Sequence, residues 1–339
     1  MSDARPSIGG APLRSLMGVR IVGTGSFVPD NVVTNDDLAR LGCDAEWIIQ
    51  RTGIRERRHA PADMSTGDMA LEAAKRCLEA AAVDPAEVDL LTLGTFTPDR
   101  LAPATATTLQ DRLGLNCAAM DVSAACAGFT YSLITAMQFI ATGCSKYALV
   151  IGADTNSRIV DPEDKKIYPI FGDGAGAVLL TKGSAEQGAL SYTLGSDGSG
   201  TELLYRPQGG SKQPCTIGVP PDNNHYLQMN GRPVFKWAVR LVEENVKQVL
   251  DHAGLASTEI GCYLFHQANE RILDAAVQAL GIDRERVVKH IDRYGNTSAA
   301  SIPLALDETL RAGGIKSGDS ILMSGFGAGL AWGTIAWRW

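Results

Sequence analysis

The chain repeats itself once. Short apolar runs begin at 88 and 260, and helix-like runs begin at 126 and 298; both pairs lie 172 residues apart. A third pair of apolar runs begins at 147 and 320, 173 residues apart. The first copy reads as strand 88–95 (VDLLTLGT), helix 103–113, strand 117–122, helix 126–142 and strand 147–153. The second reads as strand Ile260–Phe265, helix 268–280, strand 287–291, helix 298–311 and strand 320–324. Strand-length apolar runs alternating with helical stretches predict β-α-β units. The runs are apolar almost throughout, as strands are when helices cover both faces of a sheet. The spacing therefore predicts a duplicated α/β unit with mostly parallel strands. Each copy is read as running into a similar glycine string, GDGAG at 172–176 and GFGAG at 325–329.

Length agrees with two fused halves. At 339 residues the chain exceeds the roughly 250–300 residues at which one core stops growing. The halves are placed at 18–185 and 186–339. Residues 1–17 carry Pro6, Gly9, Gly10 and Pro12 without an apolar stretch. They are read as a disordered leader, with a cleaved transit peptide as the other reading. Helix 126–142 is apolar on nearly every side, which predicts burial. One such helix from each half, packed between two sheets, gives a layered core. Segment 231–253 is amphipathic instead, with Val234, Phe235, Ala238, Val242, Val246 and Val249 on one stripe. Residues 196–225 are rich in Gly, Pro, Asn and Ser and predict a loop region between the halves.

Composition narrows the function. A chain that is 45% hydrophobic and 20% charged is not disordered. A net charge of −7 weighs against nucleic-acid binding. No apolar run approaches the roughly 20 residues of a membrane span. Seven cysteines, an odd number without C-x-x-C, suit a reduced, cytoplasmic setting better than a disulfide framework or zinc ribbon. No H-E-x-x-H is present, so no metal is expected. GTGSFV at 23–28 lacks the third glycine of a dinucleotide site, and no phosphate-binding G-x-x-x-x-G-K-[ST] occurs.

Sites in open α/β sheets form beyond the carboxyl ends of the strands. Cys126 opens the buried helix of the first half, Asn296 precedes the matching helix of the second, and His266 follows strand Ile260–Phe265. All three are expected to converge on one pocket. A cysteine at a helix N-terminus has a stabilised thiolate and a lowered pKa; an inert buried cysteine is the alternative. A neutral His266 can donate a hydrogen bond or take a proton, or can be a core histidine. Asn296, within YGNTS, is either a turn and cap residue or a pair of amide donors for an oxyanion. Backbone N–H groups of the 325–329 string suit an oxyanion hole.

Together these motifs resemble the β-ketoacyl-[acyl carrier protein] synthase III family, the initiating condensing enzymes of type II fatty acid synthesis. The likeness runs from about residue 18 to 339. It rests on EWIIQRTGIRERR (46–58), DVSAACAGFTYSL (121–133), IFGDGAGAVLL (170–180), HQANERI (266–272), GNTSAASIPLAL (295–306) and GFGAGLAWG (325–333). The resemblance implies the thiolase fold, a duplicated α/β unit in five layers αβαβα, usually as a homodimer. It implies decarboxylative condensation of an acyl-CoA primer with malonyl-[acyl carrier protein], with no cofactor beyond these thioester substrates. Cys126 would be the nucleophile, His266 and Asn296 the pair assisting decarboxylation, and the N–H groups of Cys126 and Ala328 the oxyanion hole. Phe326 would shield the pocket, and Leu101 would reach an acyl pocket across the dimer interface. Trp47 and Arg51 would hold coenzyme A at the mouth, and Lys236 and Arg271 would face the carrier protein, with Arg240 in the same basic cluster. The chain departs from the family at Lys165 and Lys166, where an arginine is common, at Ala328 for glycine, and at Leu101 for phenylalanine. Leu101 implies room for a longer or branched primer. Alternatives are a polyketide-type starter synthase, an acyltransferase, a silent carrier-binding paralogue, or a thiol-redox protein using Cys117 or Cys144.

Overall fold

The computed structural model describes residues 11–215 and 223–339. In chain order come β1 (Leu13–Met17), β2 (Val19–Phe27), β3 (Val32–Thr34), α1 (Ala45–Thr52), β4 (Glu56–Arg58) and α2 (Thr66–Ala81). Next are β5 (Leu90–Gly94), α3 (Thr105–Arg112), β6 (Ala118–Val122), α4 (Gly128–Ala141), β7 (Tyr147–Asp154) and β8 (Gly174–Lys182). Then follow β9 (Gly188–Ser196), β10 (Leu204–Tyr205), β11 (Gln228–Met229), α5 (Gly231–Ala253) and β12 (Ile260–Phe265). The chain closes with α6 (Glu270–Leu280), α7 (Ile291–Tyr294), α8 (Ser301–Arg311), β13 (Ser320–Gly327) and β14 (Ala331–Arg338).

Two five-stranded sheets repeat one topology. One runs β2-β8-β7-β5-β6; the other runs β9-β14-β13-β12, with β1 added outside β9. Side-chain alternation along each strand explains the layers. In β12, Cys262 and Leu264 turn inward, onto a cluster with Phe129 and Leu133 of α4 and Ile302 and Leu306 of α8. Tyr263 and Phe265 turn outward, onto Trp237 and Leu241 of α5 and Ile272 of α6. In β5, Leu90 joins the inner cluster, while Leu91 and Leu93 pack with Met69 and Ala73 of α2 and Leu109 of α3. The result is the expected five layers: α2 and α3, a sheet, α4 and α8, a sheet, α5 and α6.

Several sequence expectations are corrected. The strands are not mostly parallel: β5–β6, β5–β7 and β12–β13 are parallel, while the other five pairings of the two five-stranded sheets are antiparallel. β13 reaches β14 through residues 328–330 alone, a connection too short for a parallel crossover. Residues 287–291 form no strand. Only Val287 bridges to Tyr263, in the place β6 occupies beside β5. The chain then turns inward, where His290 is buried and its Nε2 lies 2.9 Å from the Ser301 carbonyl. The leader expectation fails over its last residues, because Leu13–Met17 pairs antiparallel with β9; residues 1–10 lie outside the described residues. The 196–225 loop falls after β9, inside the second half rather than between halves; its residues 216–222 lie outside the described ones.

The glycine strings are not counterparts: GFGAG ends β13, and GDGAG opens β8, whose counterpart is β14. Helices α4 and α8 begin 173 residues apart, as do β7 and β13. The partner of Ser298 is therefore Ala125, one residue before Cys126. The α5 stripe holds at Ala238, Val242, Val246 and Val249, which are buried; Val234 and Phe235 line a cavity instead. Among the described residues no helix is long and apolar enough to cross a membrane. No group of three or more His, Cys, Asp or Glu is placed there to hold a metal ion.

Candidate active site

Each half places a three-residue turn ahead of its central helix, Ala125–Ala127 before α4 and Ser298–Ala300 before α8. Their first residues, Ala125 and Ser298, have φ of +46° and +53°, a left-handed region that residues other than glycine seldom enter. The turns meet: the Ser298 hydroxyl donates to Cys126 Sγ at 3.3 Å. Two glycines make the approach possible. A Cβ on Gly327 of β13 would lie 2.8 Å from the Cys126 Cβ and 3.0 Å from its sulfur. A Cβ on Gly152 of β7 would run into the Ala299 carbonyl.

Cys126, His266 and Asn296 all line one cavity of about 400 Å³. They are 7%, 1% and 5% exposed, so each shows little more than its reactive end. His266 leaves β12 with its N–H bonded to the Ser324 carbonyl at 2.8 Å. Its Nδ1 lies 2.7 Å from Ser301 Oγ, which is also 2.9 Å from the Ser298 carbonyl. Burial, then the neighbouring His290, push the His266 pKa down to about 3, so the ring is neutral. Asn296 accepts the Ser298 N–H on Oδ1 at 2.9 Å, which leaves its NH2 as the group offered to the cavity. The loop ahead of β8 fixes its backbone: Asn296 N–H donates to Ile170, and Gly172 N–H donates to Asn296.

The expected low thiol pKa is corrected. Burial pushes Cys126 up to about 12, the nearby Asp154 carboxylate acts in the same direction, and the Ser298 hydroxyl and the cysteine's own N–H only partly oppose them. At neutral pH the sulfur rests as a thiol. Asp154, fully buried at the end of β7, is itself pushed up to about 6 by burial. It accepts hydrogen bonds from the hydroxyls of Thr95 and Thr97, the N–H groups of Phe96 and Thr97, and the Ala299 N–H.

The mouth is assembled from the segments that follow β2, β7, β9 and β12. Helix α1 starts where Asp44 accepts the Trp47 N–H and ends at left-handed Gly53. This presents Trp47 and Arg51, the guanidinium lying 4.6 Å from the indole centroid. Both line the cavity, as do Lys165, Lys166, Arg271, Phe326 and Ala328. Arg271 lies 5.6 Å from the Phe235 ring centroid, and Phe326 meets His266 edge-on at 5.3 Å. Lys236 is exposed on the second turn of α5 and does not line the cavity. Leu101 is not brought to it either; its side chain is 86% exposed elsewhere. Sequence reasoning missed Ser298, Ser301 and Asp154 around the reactive groups, and Phe96, Trp237, Leu204 and Met229 in the wall. The repeat offset, read as 173 rather than 172, is the signal that sets Ser298 opposite the nucleophile turn.

A doubled five-layer fold with a thiol from one half facing an imidazole and a carboxamide from the other defines a thiolase-fold, acyl-transferring condensing enzyme. Two family profiles match the chain: "3-Oxoacyl-[acyl-carrier-protein (ACP)] synthase III" over residues 120–198, and the C-terminal part of the same over residues 250–339. A β-ketoacyl-[acyl-carrier-protein] synthase III of Rhodopirellula baltica is 52% identical over 96% of this chain and 99% of the relative. One of Desulfitobacterium hafniense is 48% identical over 96% and 98%. The solved 3-oxoacyl-[acyl-carrier-protein] synthase III of Aquifex aeolicus superposes with a TM-score of 0.87 at 43% identity, covering 95% of this chain and all of that one. The priming β-ketosynthase of the R1128 polyketide pathway superposes at 0.86 with 32% identity, covering 97% and 99%. The chain belongs to the β-ketoacyl-[acyl carrier protein] synthase III family.

Proposed function

We infer that the chain joins an acyl primer, held as a thioester on Cys126, to malonyl-[acyl carrier protein], giving a 3-oxoacyl-[acyl carrier protein] and carbon dioxide at the start of fatty acid synthesis. The observation that carries this reading is the meeting of Cys126, His266 and Asn296 in one cavity. In the first step the Cys126 sulfur attacks the acyl carbonyl. The new oxyanion is held by the backbone N–H groups of Cys126 and Ala328, and the thiol proton ends on the departing coenzyme A sulfur. In the second step the malonyl thioester loses carbon dioxide. Its enolate oxygen is held by the Asn296 NH2 and His266 Nε2–H. This requires the tautomer in which the single Ser301 hydroxyl hydrogen turns from the Ser298 carbonyl to His266 Nδ1, so that Nε2 carries the ring hydrogen. The enolate carbon attacks the acyl group and releases the Cys126 sulfur, which regains a proton. No step needs a cofactor.

Trp47 and Arg51 offer a stacking and cationic face to the coenzyme A nucleotide. Lys165, Lys166 and Arg271 extend the positive rim, and Lys236 and Arg240 lie on the adjoining helix, where an acidic carrier protein can dock. The exposed Leu101 is read as a homodimer contact that reaches a partner's acyl pocket. Seven free cysteines support a reducing cytoplasm. A starter synthase of a specialised pathway remains the second reading, supported by the likeness to the R1128 priming enzyme.

Intact-mass measurement after incubation with a panel of acyl-CoA and acyl-carrier thioesters identifies the primer retained on Cys126. Asn296→Ala is expected to keep this acyl mass while condensation falls about 10²–10³-fold, the cost of losing one oxyanion donor. Equal loss of both steps would overturn the division of labour.

A further inference from the structure

One residue touches two of the three reacting groups and reaches the third through Ser301. The Ser298 hydroxyl donates to Cys126 Sγ at 3.3 Å. Its N–H donates to Asn296 Oδ1 at 2.9 Å. Its carbonyl lies 2.9 Å from the Ser301 hydroxyl, which reaches His266 Nδ1 at 2.7 Å. Such a set of directions needs the left-handed backbone that Ser298 adopts, with φ of +53°. Strain of this kind persists where surrounding structure over-determines it. Here the next residue is pinned from the first half, because Asp154 accepts the Ala299 N–H at 3.1 Å. The equivalent residue of the other half, Ala125, shares the left-handed conformation but has no hydroxyl. The backbone shape therefore belongs to the duplicated turn, and the hydroxyl belongs to Ser298 alone.

We propose that Ser298 is a catalytic residue of the acylation step, its hydroxyl donating a hydrogen bond to the Cys126 sulfur as negative charge develops there. The assignment rests on the reading of Cys126 as acyl carrier. During attack the sulfur–carbon bond forms and the bond from carbon to coenzyme A sulfur breaks. The thiol proton passes to the departing sulfur, and Ser298 keeps its own proton throughout. The donor matters because the surroundings are otherwise hostile to the charge: the sulfur is buried, and the Asp154 carboxylate lies close behind it and also draws on the Ser298 hydroxyl, so the step has that hydroxyl's one hydrogen directed at the sulfur. The N–H of Ser298 serves the second step by orienting Asn296, so the two steps depend on different atoms of one residue.

Ser298→Ala removes the hydroxyl and keeps the N–H and the carbonyl. Ser298→Gly does the same and suits the left-handed backbone better, so it carries the test if the alanine variant fails to fold. Acylation is followed by the rate at which acyl mass appears on Cys126, and decarboxylation by carbon dioxide release from a malonyl thioester without primer. Losing a hydrogen bond to a charged group slows acylation about 10- to 100-fold. Decarboxylation slows at least about tenfold less. Acylation at the parent rate, or equal slowing of both steps, overturns the proposal. Failure of the parent chain itself to retain an acyl group overturns the underlying reading instead.

Discussion

At the scale of single residues, His266 shows how strongly surroundings set chemistry. Unfolded, its imidazole takes up a proton below about pH 6.5; folded, it stays neutral until about pH 3. Between these values the unfolded chain holds the extra proton. The histidine's contribution to stability is therefore complete above pH 6.5 and shrinks as pH falls toward 3. Burial displaces the buried His59 and His290 in the same direction. Asp154 has the opposite sign: raised from 3.8 to about 6, it contributes below pH 3.8 and loses that contribution as pH rises through 6. The His266 ring-proton resonance should stay in place from pH 8 to pH 5 in an NMR titration; a midpoint near 6.5 would contradict a neutral ring. That Cys126, His266 and Asn296 meet in one cavity was legible because they stand where strands end and helices begin. Ser298 and Ser301 were not, since a serine in GNTSAAS reads as an ordinary cap. Only a left-handed φ turns the Ser298 hydroxyl toward the sulfur.

Among the elements, strand β7 and the Ser298 turn depend on each other's smallness. Gly152→Ala forces a methyl group into the Ala299 carbonyl. Overpacking of this kind costs about 1–3 kcal/mol, so the urea midpoint should fall, and an unchanged midpoint would mean the turn yields without cost. The central strands and α5 could be read from apolar runs and periodicity, because burial on both faces leaves a plain signal. β1 could not: its partner β9 lies some 175 residues away, where Leu13 pairs with Thr193, and nothing local announces that pairing. The mixed strand orientation was equally hidden. It follows from which strands adjoin through short turns, and apolar runs do not record direction. The 287–291 segment has strand composition but leaves the sheet after one bridge, because His290 is drawn inward.

For the whole molecule, the sign of the net charge and the sign of the mouth differ. The chain carries −7, yet Arg51, Lys165, Lys166 and Arg271 line one opening. Docking of an acidic carrier protein there should weaken as salt rises from about 0.05 to 0.5 M, where screening shortens from beyond 10 Å to a few ångströms. Arg271→Glu should weaken it a further three- to tenfold or so, the scale of an exposed charge pair gained or lost. Binding measured by titration calorimetry that ignores both changes would place the carrier elsewhere. Composition alone pointed away from acidic partners, whereas the family resemblance anticipated a basic cluster; the folded arrangement puts Arg271 of that cluster at the opening and leaves Lys236 outside its lining.

The shared middle layer also sets what may be separated. Ser184, Ala185 and Glu186 form an exposed bend between β8 and β9, so the backbone could be severed there with little local damage. Neither fragment would then own a finished interior, since α4 and α8 bury their apolar faces on each other's sheets. Nor would either own a reaction, because the sulfur travels with one piece and the imidazole and carboxamide with the other. On the roles proposed for these groups, each piece alone is expected to be inert and to regain a function only by finding the other.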